Sequence, residues 1–310
     1  MTAPAREVQV TAPGRAELVD VPLPDEPLGA GEVEGSTLAT LISAGTELAA
    51  AYTAAEGFPR RLGYAAVFEV EAVGADVAGL RPGQRAFCMG GHASFQRRPA
   101  EQVVAVPEGL DPQLAVLARL MGVSWTTLVT TQARPPAGVL VTGLGLVGHL
   151  AAKVFAAAGY PVLAVDPDGR RRELLAADDC CDVAETVPTM ERGPAALGGF
   201  ALVVECSGHE QATLDGCRAV RKGGEVVLVG VPWKPRTDRS AFDVLDAVFH
   251  QYVVLRSGWE WELPLHRPDF GRGSIFESFA GALDCLAAGR VRAGGLCTPL
   301  PPAECDRAYQ

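Results

Sequence analysis

Apolar and polar positions change rhythm twice along this chain. Up to about residue 118 the apolar residues come in short Val-rich runs, at 17–21, 67–73 and 102–106, separated by turn signals such as Arg81-Pro82-Gly83-Gln84. Runs of that length bounded by Gly and Pro predict a mostly β region with few long helices. From about 119 to 257 strands alternate with helices. The run 139–142 predicts a short apolar strand, 146–158 a helix of small residues stopping at Gly159, and 162–165 a second strand. Further strands are predicted over 201–206, 225–229 (introduced by Lys222-Gly223-Gly224) and 252–256. This alternation implies βαβ units and a parallel sheet. Continuous runs such as Ala-Leu-Val-Val are what strands covered on both faces require. The tail, 258–310, carries one predicted helix, 274–288, then a strand-like piece and a Pro-rich turn.

The expected class is α/β, in three zones: 1–118, 119–257 and 258–310. Composition adds limits. The chain has 310 residues, 48% of them hydrophobic, enough to bury a sizeable core. Its formal net charge of −10 and scattered cations give no footprint for nucleic acid. There is no basic block, no apolar leader core and no membrane-length apolar run, so a cytoplasmic protein is expected. Eight cysteines sit at irregular spacings without a C-x-x-C pair, which reads as buried thiols in a reducing compartment. On that reading the neighbours Cys180 and Cys181 are packing residues rather than a redox switch.

The chemistry is carried by Gly143-Leu144-Gly145-Leu146-Val147-Gly148, a G-x-G-x-x-G run. It follows a predicted strand, opens a predicted helix, and is followed by a second strand ending at Asp166, twenty-three positions after Gly143. That context is the dinucleotide-binding fingerprint. Gly143 permits the tight turn, Gly145 lets a pyrophosphate reach the backbone, and Gly148 lets helix and sheet pack closely. Helix-start N–H groups would face the pyrophosphate. Asp166 would accept from the ribose hydroxyls and repel a 2′-phosphate, favouring NAD over NADP. Arg170, Arg171 and Arg172 open the alternative of a neutralised phosphate, or a solvated helix face. The competing reading of the whole loop is a plain turn.

At this point the chain resembles the medium-chain dehydrogenase/reductase family along nearly its whole length. The segment Gly63 to Gly74, the turn Leu80-Arg81-Pro82-Gly83-Gln84-Arg85, Glu205-Cys206-Ser207-Gly208, the Arg221 to Val227 turn and Ala308-Tyr309 resemble its motifs. The resemblance implies a GroES-like β domain plus a Rossmann domain, with the tail returning to the first. It adds Cys206, Ser207, Gly208, Val229 and Gly230 to the expected cofactor contacts. It also implies a homodimer formed through edge strands, here 252–256. The chain departs from the family's zinc pattern. Ala44-Gly45-Thr46-Glu47 stands for C-G-T-D, Gly63-Tyr64-Ala65 stands for G-H-E, and Cys88 alone remains where a four-cysteine lobe is usual. A useful zinc needs three protein ligands and an open position, so no catalytic zinc is expected.

Without zinc, another group must handle the proton or the oxyanion. Tyr64 is either a hydroxyl donor or a filler of the metal cavity. His92 is the preferred titratable candidate, with a structural role as the alternative. Thr46 and Glu47 belong to the family's loop beside the nicotinamide; Glu47 is a base or a capping group. Ser43 is a weaker candidate. Ser124 and Thr126 are expected at a helix start, as N-caps or cofactor contacts. His149 is expected on a helix surface, and Trp259 and Trp261 in a pocket or a domain interface. The leading expectation is hydride transfer between NAD(H) and a small alcohol or carbonyl. The alternatives are an NADPH-dependent quinone or enoyl reductase and a non-catalytic cofactor-binding protein.

Overall fold

A computed structural model describes residues 4–188 and 199–310. The chain divides into two compact units, one of residues 1–119, 279–287 and 293–310, the other of 120–278 and 288–292.

The first unit is built on antiparallel sheet. Strands β1 (Ala5–Ala12), β2 (Arg15–Val21) and β4 (Arg60–Arg61) form one small sheet in the order β2-β1-β4. A five-stranded sheet runs in the order β7-β3-β5-β6-β8, with β3 Glu32–Thr40, β5 Ala66–Val73, β6 Arg85–Cys88, β7 Phe95–Pro99 and β8 Val103–Ala105. Helix α1 (Ala44–Glu47) runs into a wider turn, Leu48–Tyr52, and α2 (Pro112–Ala115) is capped by Asp111. One core joins Val33, Ala66, Phe68, Val70, Ala86 and Cys88. A second joins Val8, Val10, Tyr52 and Leu62 to Cys305 and Tyr309 of the C-terminal helix Cys305–Tyr309. Burying each such large apolar side chain stabilises by about 1.5–3 kcal/mol.

The second unit is a six-stranded parallel sheet. Its strands are β9 (Gly138–Thr142), β10 (Val162–Val165), β11 (Asp182–Ala184), β12 (Phe200–Glu205), β13 (Val220–Leu228) and β14 (Val254–Ser257). Their order is β11-β10-β9-β12-β13-β14. Renumbered from β9, this is the 3-2-1-4-5-6 order of a doubly wound dinucleotide fold, with its switch point between β9 and β12. Every residue of β9 and β12 is buried, as the continuous apolar runs require. Helices α3 (Ala118–Thr130), α4 (Leu146–Ala157), α5 (Gly169–Ala176), α6 (Glu210–Ala219) and α7 (Ala241–Gln251) connect or flank them; α8 (Ile275–Ala287) follows β14. GroES-like β and Rossmann architectures are thus both present.

Four details depart from expectation. Residues 258–278 group with the second unit: the turn Glu260–Glu262 is tied back by Arg256 to Glu262 (2.9 Å), and Ile275 N–H donates to the Pro264 carbonyl. No strand follows α8; residues 288–300 are turns and irregular chain. Ser124 and Thr126 lie in the middle of α3, where the Thr126 hydroxyl donates to the Gly122 carbonyl four residues back, so neither caps a helix start. The turn at 222–224 does not precede β13 but bulges out of it, because Val220 pairs with Phe200 and Glu225 with Leu202. Among the described residues no helix is long and apolar enough to cross a membrane.

Candidate functional site

The switch point between β9 and β12 places the glycine run. Gly143 leaves β9 with φ +82°, and a Cβ there would lie 2.7 Å from that of Ser207. At Gly148 a Cβ would fall 1.8 Å from the Gly143 carbonyl oxygen, so this helix packs on the loop only with glycine. A Cβ on Gly145 would meet nothing within 4 Å. Gly145 therefore serves no internal packing; it leaves open space above the start of α4. Its own carbonyl accepts the His149 N–H, so the N–H groups of Leu146, Val147 and Gly148 precede the first bond of the α-helical ladder. Free N–H groups with the helix dipole behind them suit an anion such as a pyrophosphate. This cradle fits a dinucleotide.

Asp166 follows β10 and is buried. Oδ2 accepts from Leu144 N–H at 2.6 Å and Oδ1 from Asp168 N–H at 2.8 Å, so the acid read in the sequence as a ribose acceptor also braces the glycine loop. A carboxylate offers about four lone-pair directions, so acceptor capacity remains for ribose hydroxyls. Arg171, with a side chain 54% exposed, reaches Oδ2 at 3.4 Å, and Arg172 donates to the Asp166 carbonyl at 2.6 Å. The exposed Arg170 gives its N–H to Asp168, the N-cap of α5, rather than a side-chain contact to Asp166.

After β12, Glu205 organises the second side of the switch point. Its carboxylate accepts from Ser207 N–H (2.7 Å), the Ser207 hydroxyl, Gly208 N–H (3.1 Å) and the Thr142 hydroxyl (3.4 Å). Burial raises its pKa against those hydrogen bonds. The Glu205 carbonyl takes the N–H groups of Val229 and Gly230, at 2.8 and 2.7 Å. A Cβ on Gly230 would lie 2.3 Å from Gly208 N, so the two turns need glycine to meet. Burial pushes the Cys206 thiol well up, away from thiolate chemistry. His149, expected on a surface, is buried: Nδ1–H donates to the Leu144 carbonyl at 2.9 Å, and Nε2 has no hydrogen-bond partner. It sits one residue beyond Gly148, whose close approach draws this face of α4 inward.

The first unit gathers the remaining candidates into two groups. Glu47, buried at the end of α1, accepts from Ser43 N–H through Oε1 at 2.7 Å, which is a capping contact. Its Oε2 lies 3.0 Å from His92 Nε2 and 2.5 Å from the Tyr309 hydroxyl. His92 Nδ1 lies 2.7 Å from the Thr40 hydroxyl, so both ring nitrogens of this buried histidine are engaged within the chain. The backbone of Leu62 and His92 comes close enough that a Cβ on Gly63 would lie 2.6 Å from His92 N. In the second group Tyr64 is half-buried and its ring carries the guanidinium of buried Arg119 at 4.4 Å, which also lies 5.6 Å from the Phe279 ring. Thr46 and Ala44 are exposed on α1. Trp259 and Trp261, in the second unit, are exposed, so neither is closed into a core.

The positions matched to a zinc pattern in the sequence carry other residue types. Ala44 and Tyr64 offer no thiolate or imidazole, Glu47 and His92 are engaged with one another, and the described residues bring no three His, Cys, Asp or Glu side chains together.

Comparison with known proteins places this geometry. The family model described as "Zinc-binding dehydrogenase" matches residues 147–260. That match spans 114 of the 310 residues, and over it the chain is similar to zinc-type dehydrogenases of the medium-chain dehydrogenase/reductase family. An alcohol dehydrogenase of Geobacillus stearothermophilus is 30% identical over 46% of this chain and 43% of that protein, so the match spans under half of its length. Among solved structures, the alcohol dehydrogenase TADH from Thermus sp. ATN1 superposes with a TM-score of 0.76 at 22% identity, covering 98% of this chain and 95% of that one. The acetophenone reductase of Geotrichum candidum, solved in complex with NAD, gives 0.78 at 15% identity, covering 100% and 94%.

Three residues of the two groups escaped the sequence reading. Arg119 has no motif, and Thr40 sits at the end of β3 like any strand threonine. Tyr309 was visible only as half of an Ala-Tyr pair. A Gly63 with φ +87° directly before Tyr64 was the available signal that backbone and side chains crowd there.

Proposed function

We propose that the chain is an oxidoreductase that transfers hydride between NAD(H) and a small alcohol or carbonyl compound without a catalytic zinc. The observation that carries the reading is the open space at Gly145 above unbonded helix-start N–H groups, with Asp166 bracing the same loop. The nicotinamide, when bound, supplies or accepts the hydride. The N–H groups of Leu146, Val147 and Gly148 hold the pyrophosphate, and Asp166 takes the ribose hydroxyls. Glu205 fixes the turn of Cys206, Ser207 and Gly208, with Val229 and Gly230 behind it. Tyr64 is the proton donor to the substrate oxygen. The Arg119 guanidinium on its ring favours charge developing on the phenolic oxygen. Exposed Thr46 assists as a hydrogen-bond donor. His92 and Glu47, each engaged inside the unit, hold α1 and Thr46 in place rather than touching substrate.

A second reading, an NADPH-dependent quinone or enoyl reductase, draws on Arg171, a half-exposed cation beside Asp166 that suits a 2′-phosphate. We place the active form as a homodimer. Edge strand β14 follows α7 in the chain, and Phe242, Leu245 and Phe249 of that helix are exposed with Tyr252 and Val254. Such an edge and apolar face call for a partner. A cytoplasmic setting agrees with eight cysteines that form no disulfide in the structure.

The test is titration of metal-analysed protein with NADH and NADPH by nicotinamide fluorescence, followed by carbonyl and alkene panels with and without EDTA. The proposal expects tight NADH binding, weaker NADPH binding, and carbonyl turnover that EDTA leaves unchanged. Tighter NADPH binding with alkene turnover would favour the second reading. Cofactor binding without turnover would leave a binding protein, and no binding of either cofactor would overturn the assignment.

A further inference from the structure

Cys180 and Cys181 lie in the turn that joins α5 to β11, well away from the glycine loop in sequence. Their sulfurs are 3.8 Å apart, within hydrogen-bond reach for thiols, and both side chains are partly open to solvent. Behind them the ammonium of Lys153, itself buried, pairs with Asp178 and donates to the Arg292 carbonyl at 2.7 Å. Lys153 is held in place from two sides, so its charge acts on the pair as a fixed field. Asp178 and Asp182 oppose it.

We propose that Cys180 and Cys181 form a redox site of their own, a vicinal dithiol that hydroperoxides oxidise to a reversible disulfide. Cys180 is the attacking sulfur. Its pKa is drawn down to about 7, first by the hydrogen bond from Cys181 and then by Lys153, while that of Cys181 is raised. By contrast, burial raises the thiols of Cys88, Cys206, Cys217 and Cys305. The thiolate is the nucleophile in such reactions. In the first step the Cys180 thiolate attacks the peroxide, the O–O bond breaks, and hydroxide leaves to take a proton as water; Cys180 becomes a sulfenic acid. In the second step the Cys181 sulfur attacks that of Cys180, the S–O bond breaks, and a second water leaves. The dithiol loses two electrons and two protons, and one hydrogen peroxide becomes two waters.

Geometry also sets the reversibility. Successive Cα atoms are about 3.8 Å apart across a trans peptide, below the roughly 4.4–6.8 Å usual for disulfides. A disulfide here is therefore strained, and strained disulfides have the higher, more easily reduced potentials. Its place is regulatory rather than structural.

The experiment uses the whole protein, reduced, treated with low hydrogen peroxide, alkylated with N-ethylmaleimide and digested with trypsin. Peptide 173–192 contains both cysteines and no other. The expected result is that this peptide loses two hydrogens and escapes alkylation, and that dithiothreitol restores double alkylation. In Cys181→Ala, dimedone should label Cys180; in Cys180→Ser, labelling of Cys181 should fall about tenfold. The proposal is overturned if the peptide stays doubly alkylated while exposed Cys297 oxidises first, or if Cys180 bonds to a cysteine elsewhere.

Discussion

The Tyr309 hydroxyl donates to Oε2 of Glu47 at 2.5 Å, across 262 residues of sequence. The same oxygen faces His92, so one carboxylate ties α1, the loop at His92 and the C-terminal helix together. Burial, then the charge of Glu47, raises the pKa of Tyr309, which keeps its hydroxyl a donor at every working pH. Tyr309→Phe retains the ring stacked on Tyr52 at 5.2 Å and removes only the hydroxyl. A hydrogen bond to a charged group contributes about 1.5–3 kcal/mol, and a stability loss of that size is expected in urea unfolding. An unchanged midpoint would show that Glu47 does not depend on Tyr309.

Two glycines of one motif should fail in different ways. Gly145→Ala places its methyl in open space, so stability should stay within about 0.5 kcal/mol. NADH affinity should still fall about tenfold or more, near 1.4 kcal/mol, because the methyl stands where the pyrophosphate must approach. Gly148→Ala collides with the Gly143 carbonyl and should cost about 1–3 kcal/mol of stability, as overpacking does. Paired thermal melts and NADH titrations separate the two; equal melting shifts would contradict the division of roles.

Arg171 tests the choice of cofactor. Its ion pair with Asp166 involves a half-exposed side chain, and such pairs contribute about 0–1 kcal/mol, so Arg171→Ala should scarcely alter the melt. NADPH affinity should drop several-fold relative to NADH if this guanidinium is what receives a 2′-phosphate. An unchanged ratio of the two affinities would remove Arg171 from cofactor selection.

His149 should leave a mark on stability against pH. Burial lowers its pKa in the folded chain, outweighing the carbonyls of Gly145 and Leu144 that favour the charged ring; Lys153 adds to the lowering. Unfolding restores a value near 6.5. As pH falls through that value the unfolded chain binds a proton that the folded chain does not, so stability declines from there until the folded ring is protonated too. His149→Asn, which keeps a donor for the Leu144 carbonyl, should lose less stability than the parent between about pH 7.5 and 5.5. Parallel curves for the two proteins would show that His149 titrates alike in both states.

What the sequence determined by itself is local. Short continuous apolar runs, the strand-turn-helix around Gly143 to Gly148 and the acid at Asp166 encode a parallel sheet and its cofactor loop, because backbone sterics and helix-end donors act within a few residues. The departures at Ala44 and Tyr64 were legible for the same reason, as residue types that cannot ligate. Only the tertiary structure decided what depends on packing between distant segments. Glu47, His92 and Tyr309 meet because the small β2-β1-β4 sheet, the turn after α1 and the terminal helix share a core. His149 turns inward because Gly148 lets α4 close on its loop, and 258–278 joins the second unit through Arg256 and Glu262. Asp166 gives one oxygen to the Leu144 N–H, which lies beside it only once β9 and β10 have paired. Such contacts leave no periodic trace along the chain, since each is set by where whole elements come to rest.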